Sequence, residues 1–132
     1  MAQPFRALAH NGEINTIVGN RLTAARRQRD HGALPELAGL DMPAVSLEGS
    51  DSRSLDDQIS LLVSHGFSLP HAPARVLRRA WEHDRSIRAE ERAFEQYQAC
   101  VSDSWEGPAA IAMADGRWVG LVVDRSGFRP AR

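Results

Sequence analysis

Three short clusters in this 132-residue chain combine residue types that could do chemistry, and each also has a plain structural explanation. The first is His10-Asn11-Gly12-Glu13-Ile14-Asn15. An Asn-Gly pair between a strand and a helix commonly marks a turn that needs positive φ. The same pair sets a side-chain amide beside an unhindered backbone N–H, the two donors that an oxyanion hole for acyl transfer requires. The second cluster is Gly49-Ser50-Asp51-Ser52-Arg53-Ser54, just ahead of a helical pattern. Small polar residues there serve as caps, and Asp51 would complement the positive end of the helix dipole. A carboxylate on such a loop can also select the ammonium of an amino-acid substrate through a charge-assisted hydrogen bond. The third is Asp124-Arg125-Ser126-Gly127-Phe128-Arg129-Pro130. It reads as a turn with a buried arginine pairing nearby carbonyls or Asp124, and no catalytic role is assigned to it.

The elements that must hold these clusters follow from periodicity. Phe5 to Ala9 partly alternates and predicts a strand ending at His10-Asn11-Gly12. Ile14, Ile17, Val18, Leu22 and Ala25 recur at helical spacing and predict one apolar helix face. Arg26, Arg27 and Arg29 gather at the end of that helix, where positive charge suits the dipole. Between His31 and Gly49, the breakers Gly32, Pro35, Gly39 and Pro43 predict a loop with one short helical turn. Ser54-Leu55-Asp56-Asp57 resembles a capping box, with Leu55, Ile59, Leu62 and Val63 on a buried face that stops near Gly66. Pro70 and Pro73 predict a further helix whose apolar face is Val76, Leu77, Ala80 and Trp81. Glu90 to Val101 predicts another, with Phe94, Tyr97 and Val101 inward and Cys100 a small buried hydrophobe. Ala109 to Met113 and Trp118 to Val123 flank Asp115-Gly116, the strongest short hairpin signal. Helices in the middle with antiparallel strands towards both ends make the fold class α+β.

Composition narrows the function classes. The chain is 42% hydrophobic and 25% charged with a formal charge of -1, which argues against disorder and against a nucleic-acid partner. A nucleic-acid interface built on Arg26 to Arg29 fails on that charge and on the lack of interleaved aromatics. No run of about 18 apolar residues suggests a membrane span, so the expected compartment is cytoplasmic. Cys100 is the single cysteine, which excludes an internal disulfide and a multi-thiolate metal site. The histidines lack metal-binding spacing, so no metal is expected.

The order of motifs is more specific than any one of them. HNGEINT followed by GNR, GSDS before an amphipathic helix, SLPHA, WEGPAAIAMADGR and DRSGFRPAR together closely resemble the class II, N-terminal-nucleophile glutamine amidotransferase domain of glutamate synthases. The resemblance runs from about Gln3 to Arg132. It implies a partial αββα sandwich, with residues 1–132 forming part of a single glutamine amidotransferase type-2 domain that lacks its N-terminal portion. It also implies oxyanion donors at Asn11 (side chain) and Gly12 (backbone N–H), the substrate α-amino group on Asp51, and Glu13 helping to orient that amine. Glutamine would be hydrolysed to glutamate and ammonia, the ammonia then aminating 2-oxoglutarate at a distant site. The implied partners are glutamine and the remaining domains of the enzyme. FMN and an iron–sulfur cluster belong to those other domains, and no cofactor is expected in this chain.

The family's nucleophile is an N-terminal cysteine activated by its own α-amino group. This sequence begins Met1-Ala2, and Cys100 in mid-chain has no terminal amine beside it. The isolated chain is therefore expected to be inactive. The alternative is a non-catalytic glutamine-binding or assembly module that keeps the pocket without the cysteine.

Overall fold

The computed structural model describes residues 5–31 and 43–131. Most of the loop expected between His31 and Gly49 lies outside these residues. The elements run β1 (Leu8–Gly12), α1 (Ile17–His31), α2 (Asp51–Ser64), α3 (His71–Val76), α4 (Ala89–Val101), β2 (Ala109–Ala114) and β3 (Val119–Val123). The strands form one antiparallel sheet in the order β1-β2-β3, so the fold is α+β.

The β2–β3 hairpin turns at Asp115-Gly116, where Gly116 takes a φ of 84° and the Asp115 carboxylate accepts from Arg117 N and Trp118 N. β1 returns from the other end of the chain to pair with β2, Leu8 opposite Met113 and Gly12 opposite Ala109. One sheet face carries Leu8, Ala109, Ile111 and Met113 into the core. They meet Leu55 and Ile59 of α2, both fully buried, with Leu69, Ala72, Val76 and Trp105. The other face runs Ala9, Asn11, Ala110, Ala112, Ala114, Val119, Leu121 and Val123 by strand alternation. That outer face is largely apolar, and Val119, Leu121 and Val123 are exposed on it.

Several sequence expectations change. The strand lies two to three residues later than read, so Asn11 and Gly12 belong to β1 itself. α2 begins at Asp51 with Ser50 as its N-cap, and Asp56 of the supposed capping box is a buried residue of the second turn. The reason is that Ser50 Oγ accepts from Arg53 N, closing the helix a turn earlier. α3 ends at Val76, leaving Ala80 and Trp81 beyond it. On α1, Val18 and Leu22 point outward, whereas Asn20 is buried. On α4, Tyr97 and Val101 are exposed, Glu95 and Gln98 are buried, and Cys100 is exposed. The arginines near the end of α1 pair with carboxylates, Arg26 with Asp30 one turn on at 3.2 Å and Arg27 with Asp103 beyond the end of α4 at 3.4 Å.

Two glycines are required by close backbone approach. A Cβ on Gly12 would lie 1.8 Å from the Pro108 carbonyl oxygen, and one on Gly107 would lie 1.9 Å from the Glu13 carbonyl oxygen. No larger residue fits where the Glu106–Pro108 segment crosses the exit of β1. Glu13 N donates to Pro108 O at 3.0 Å, and Asn15 N to Glu106 O at 2.7 Å.

Candidate functional site at the open edge of β1

β1 is an edge strand, so half of its backbone N–H groups point away from the sheet. Glu13 N donates to Pro108 O and Ala114 N to Ala7 O, which puts the odd-numbered residues of this strand in the hydrogen-bonded pairs. The N–H groups of Leu8, His10, Gly12 and Ile14 therefore face the open edge, where the start of α2 lies against them. Asp56 accepts from Leu8 N at 3.2 Å, and also from Arg6 N and Ala7 N at 2.8 and 3.0 Å. Asp51 Oδ2 accepts from Ile14 N at 2.7 Å. Between these two carboxylates the His10 and Gly12 N–H groups have no acceptor among the described residues.

Asp51 is fixed from its own side as well. Its Oδ1 accepts from Ser52 N at 2.7 Å and from the Ser52 hydroxyl at 3.3 Å. A carboxylate offers about four lone-pair directions, so these three bonds leave roughly one for a further donor. The side chain keeps 23% of its surface accessible, so that donor can come from solvent or ligand.

His10 lies beneath Asp51. Its side chain is fully buried, with Nδ1 2.9 Å from Ser52 Oγ and 4.0 Å from Asp51 Oδ2. Burial pushes the His10 pKa below its ordinary value; Asp51 opposes this and Arg129 adds to it. The imidazole is therefore neutral near pH 7, and the 4.0 Å approach to Asp51 is not an ion pair. With the Ser52 hydroxyl directed at Asp51, Nδ1–H of His10 donates to Ser52 Oγ, and Nε2 is a buried acceptor without a partner among the described residues.

Asn11 leaves β1 on the face opposite His10 and is exposed, so its amide does not touch Asp51. Its Oδ1 accepts from Arg129 Nη1 at 2.7 Å. Glu13 is exposed, and its carboxylate makes no hydrogen bond among the described residues. Of the four predicted residues, Gly12 and Asp51 thus share the open edge, and Asn11 flanks it from the outer sheet face. An open groove of about 250 Å³ lies elsewhere, lined by Thr16, Gly107, Asp124 and Phe128 among others, and none of the four lines it.

Residues of the GNR and DRSGFRP motifs hold this corner together. Asn20 donates to Ser104 O at 3.0 Å and accepts from the Thr16 hydroxyl at 2.6 Å. Arg21 donates to Ser54 Oγ and to the carbonyls of Gly49 and Ser50, joining α1 to the N-terminus of α2. The Asp124 carboxylate accepts from the backbone N–H groups of Ala109, Ser126, Phe128 and Arg129. Burial would raise its pKa, and these four donors outweigh that and hold it below the usual carboxylate value. The expected buried arginine is absent from this turn: Arg125 pairs with Glu82 at 2.8 Å, and Arg129 reaches Asn11. Both arginines are exposed or half-exposed. Reading by residue type did not find the roles of Asp56, Arg21 and Arg129, because each depends on partners 28 or more positions away.

The chain belongs to the class II glutamine amidotransferases: the family described as "Glutamine amidotransferases class-II" matches residues 1–132. It is 42% identical over 99% of its length to glutamate synthase [NADH] of Schizosaccharomyces pombe, covering 6% of that protein. It is 38% identical over its whole length to the ferredoxin-dependent glutamate synthase of Cyanidium caldarium and 36% identical over 99% to the glutamate synthase [NADPH] large chain of Bacillus subtilis. It covers 9% of each of those two, so it spans less than a tenth of the relatives it matches.

Proposed function

We propose that this chain supplies the oxyanion-binding and amine-binding side of a glutaminase within a glutamate synthase. The observation that carries the reading is the open edge of β1, where the unclaimed Gly12 N–H lies one residue pair from the Ile14 N–H held by Asp51. A glutamine molecule lying along this edge would place its ammonium on the free lone pair of Asp51 and its side-chain carbonyl towards Gly12 and the Asn11 amide. Attack by a cysteine thiolate on that carbonyl builds negative charge on oxygen, which the two donors stabilise; collapse releases ammonia, and hydrolysis of the acyl-enzyme releases glutamate. The attacking cysteine is not Cys100, which sits exposed on α4. Glu13 stands near enough in sequence to assist the amine.

In this reading the ammonia passes to 2-oxoglutarate on another domain of a cytoplasmic enzyme. Glutamate synthases named for NADH, ferredoxin and NADPH match this chain at 36–42% identity, which supports an electron-donor site outside it. A single cysteine cannot by itself hold an iron–sulfur cluster, and in this reading the cluster and FMN belong to other domains. Among the described residues no helix is long and apolar enough to cross a membrane.

The test is steady-state glutaminase kinetics on the intact gene product. Asn11→Ala is expected to lower kcat by about 10²–10³ with the melting temperature unchanged, the usual cost of one oxyanion donor. An unaltered kcat in the folded variant would overturn the reading.

A further inference from the structure

The DRSGFRP segment follows β3 and has no part in the reaction as written above, yet its second arginine ends on the proposed oxyanion residue. Arg129 Nη1 donates to Asn11 Oδ1 at 2.7 Å across 118 positions of sequence. A guanidinium carries donors and no acceptor, so the Asn11 atom facing it has to be the amide oxygen. The Asn11 NH2 group then points away from Arg129. An asparagine amide left to itself can rotate by half a turn and present oxygen where nitrogen is needed, and an oxyanion hole with an acceptor in it repels the charge it should bind.

The arginine is itself anchored. Arg129 N donates to Asp124 Oδ1 at 3.2 Å, and the same carboxylate accepts from Ala109 N at 3.1 Å. Ala109 is the cross-strand partner of Gly12. One carboxylate thus ties the loop that carries Arg129 to the strand position opposite the oxyanion corner, so the guanidinium approaches Asn11 from a fixed origin.

We infer that Arg129 is a positioning residue that locks the Asn11 side-chain amide with its nitrogen available as a donor. The inference rests on Asn11 acting as an oxyanion donor, as proposed above. It goes further in assigning Arg129 a role that works through Asn11 and not through the substrate.

A double-mutant cycle on glutaminase activity of the intact gene product tests it. Arg129→Met is expected to lower kcat about tenfold, with KM for glutamine changed less than twofold, because the amide loses its orientation and not its substrate. Arg129→Lys, whose ammonium likewise carries donors and no acceptor, is expected to recover most of that loss. On an Asn11→Ala background, Arg129→Met is expected to cost nothing more. Wild-type kcat in Arg129→Met, or the same tenfold loss on the Asn11→Ala background, would overturn the role of Arg129. An Asn11→Ala variant as active as wild type would instead overturn the oxyanion reading beneath it. Should Arg129→Met fold poorly, the Lys variant decides: a tenfold loss of kcat there with a normal melting temperature would overturn the role of Arg129.

Discussion

Asp51 serves two roles that residue type alone could not separate. It accepts from Ser52 N in the first turn of α2 and fastens the exit of β1 through Ile14 N, and it still has acceptor capacity open to solvent. Gly12 is fixed more simply: the 1.8 Å approach of Pro108 O excludes any side chain. Gly12→Ala is expected to separate β1 from the Glu106–Pro108 segment and cost at least about 3 kcal/mol, which chemical denaturation would show. His10 gives a pH signature. Its pKa in the folded chain lies below the ordinary value of 6.5, so the unfolded chain takes up a proton first as pH falls. The contribution is complete above about 6.5 and is lost as pH drops below it towards the lowered folded value. Melting temperatures of the wild type are expected to fall between pH 7 and 5.5 more steeply than those of His10→Gln, and parallel profiles would contradict this.

At the scale of elements, the second turn of α2 does as much for β1 as its first. Asp56 takes three successive N–H groups from Arg6, Ala7 and Leu8, an arrangement that closes the lower part of the open edge. Asp56→Ala would leave these donors without acceptors and is expected to cost about 2–4 kcal/mol, with Asp56→Asn costing less; hydrogen exchange at Leu8 would report the loss locally. The hairpin was legible in sequence because Asp115-Gly116 encodes its own turn, and α2 because Leu55 and Ile59 recur on a face that is fully buried. The faces of α1 and α4 were legible only in part. Ile17 packs against the core and Phe94 against the His71 ring, as expected; the buried positions, however, are polar, Asn20 on α1 and Glu95 and Gln98 on α4, while Val18, Leu22, Tyr97 and Val101 face outward. Asn20 is buried because Ser104 O and Thr16 satisfy its amide, partners that local pattern does not disclose. The Asn11, Gly12 and Asp51 cluster was visible through motif order, whereas the open edge that relates Gly12 to Asp51 needed the register of β1 on β2.

At the scale of the whole molecule, large apolar side chains face outward on β3, α1 and α4 among the described residues. Val119, Leu121 and Val123 line the outer sheet face, with Val18 and Leu22 on α1 and Tyr97 and Val101 on α4. Soluble monomers rarely leave such a face uncovered. The outer sheet face suits a second sheet packed on it, as an αββα sandwich would provide. The isolated 132 residues are expected to self-associate at micromolar concentration, and Leu121→Lys to reduce that; light scattering that finds a monomer would contradict the expectation. The central claim concerns one glutamine molecule held at both ends, and the most direct measurement compares glutamine with its analogue lacking the α-amino group, in the intact gene product. Asp51→Asn is expected to raise KM for glutamine about 10- to 100-fold, the loss of one charge-assisted hydrogen bond, and to leave the des-amino analogue unaffected. An equal penalty on both substrates, or none on glutamine, would contradict the placement of the ammonium on Asp51.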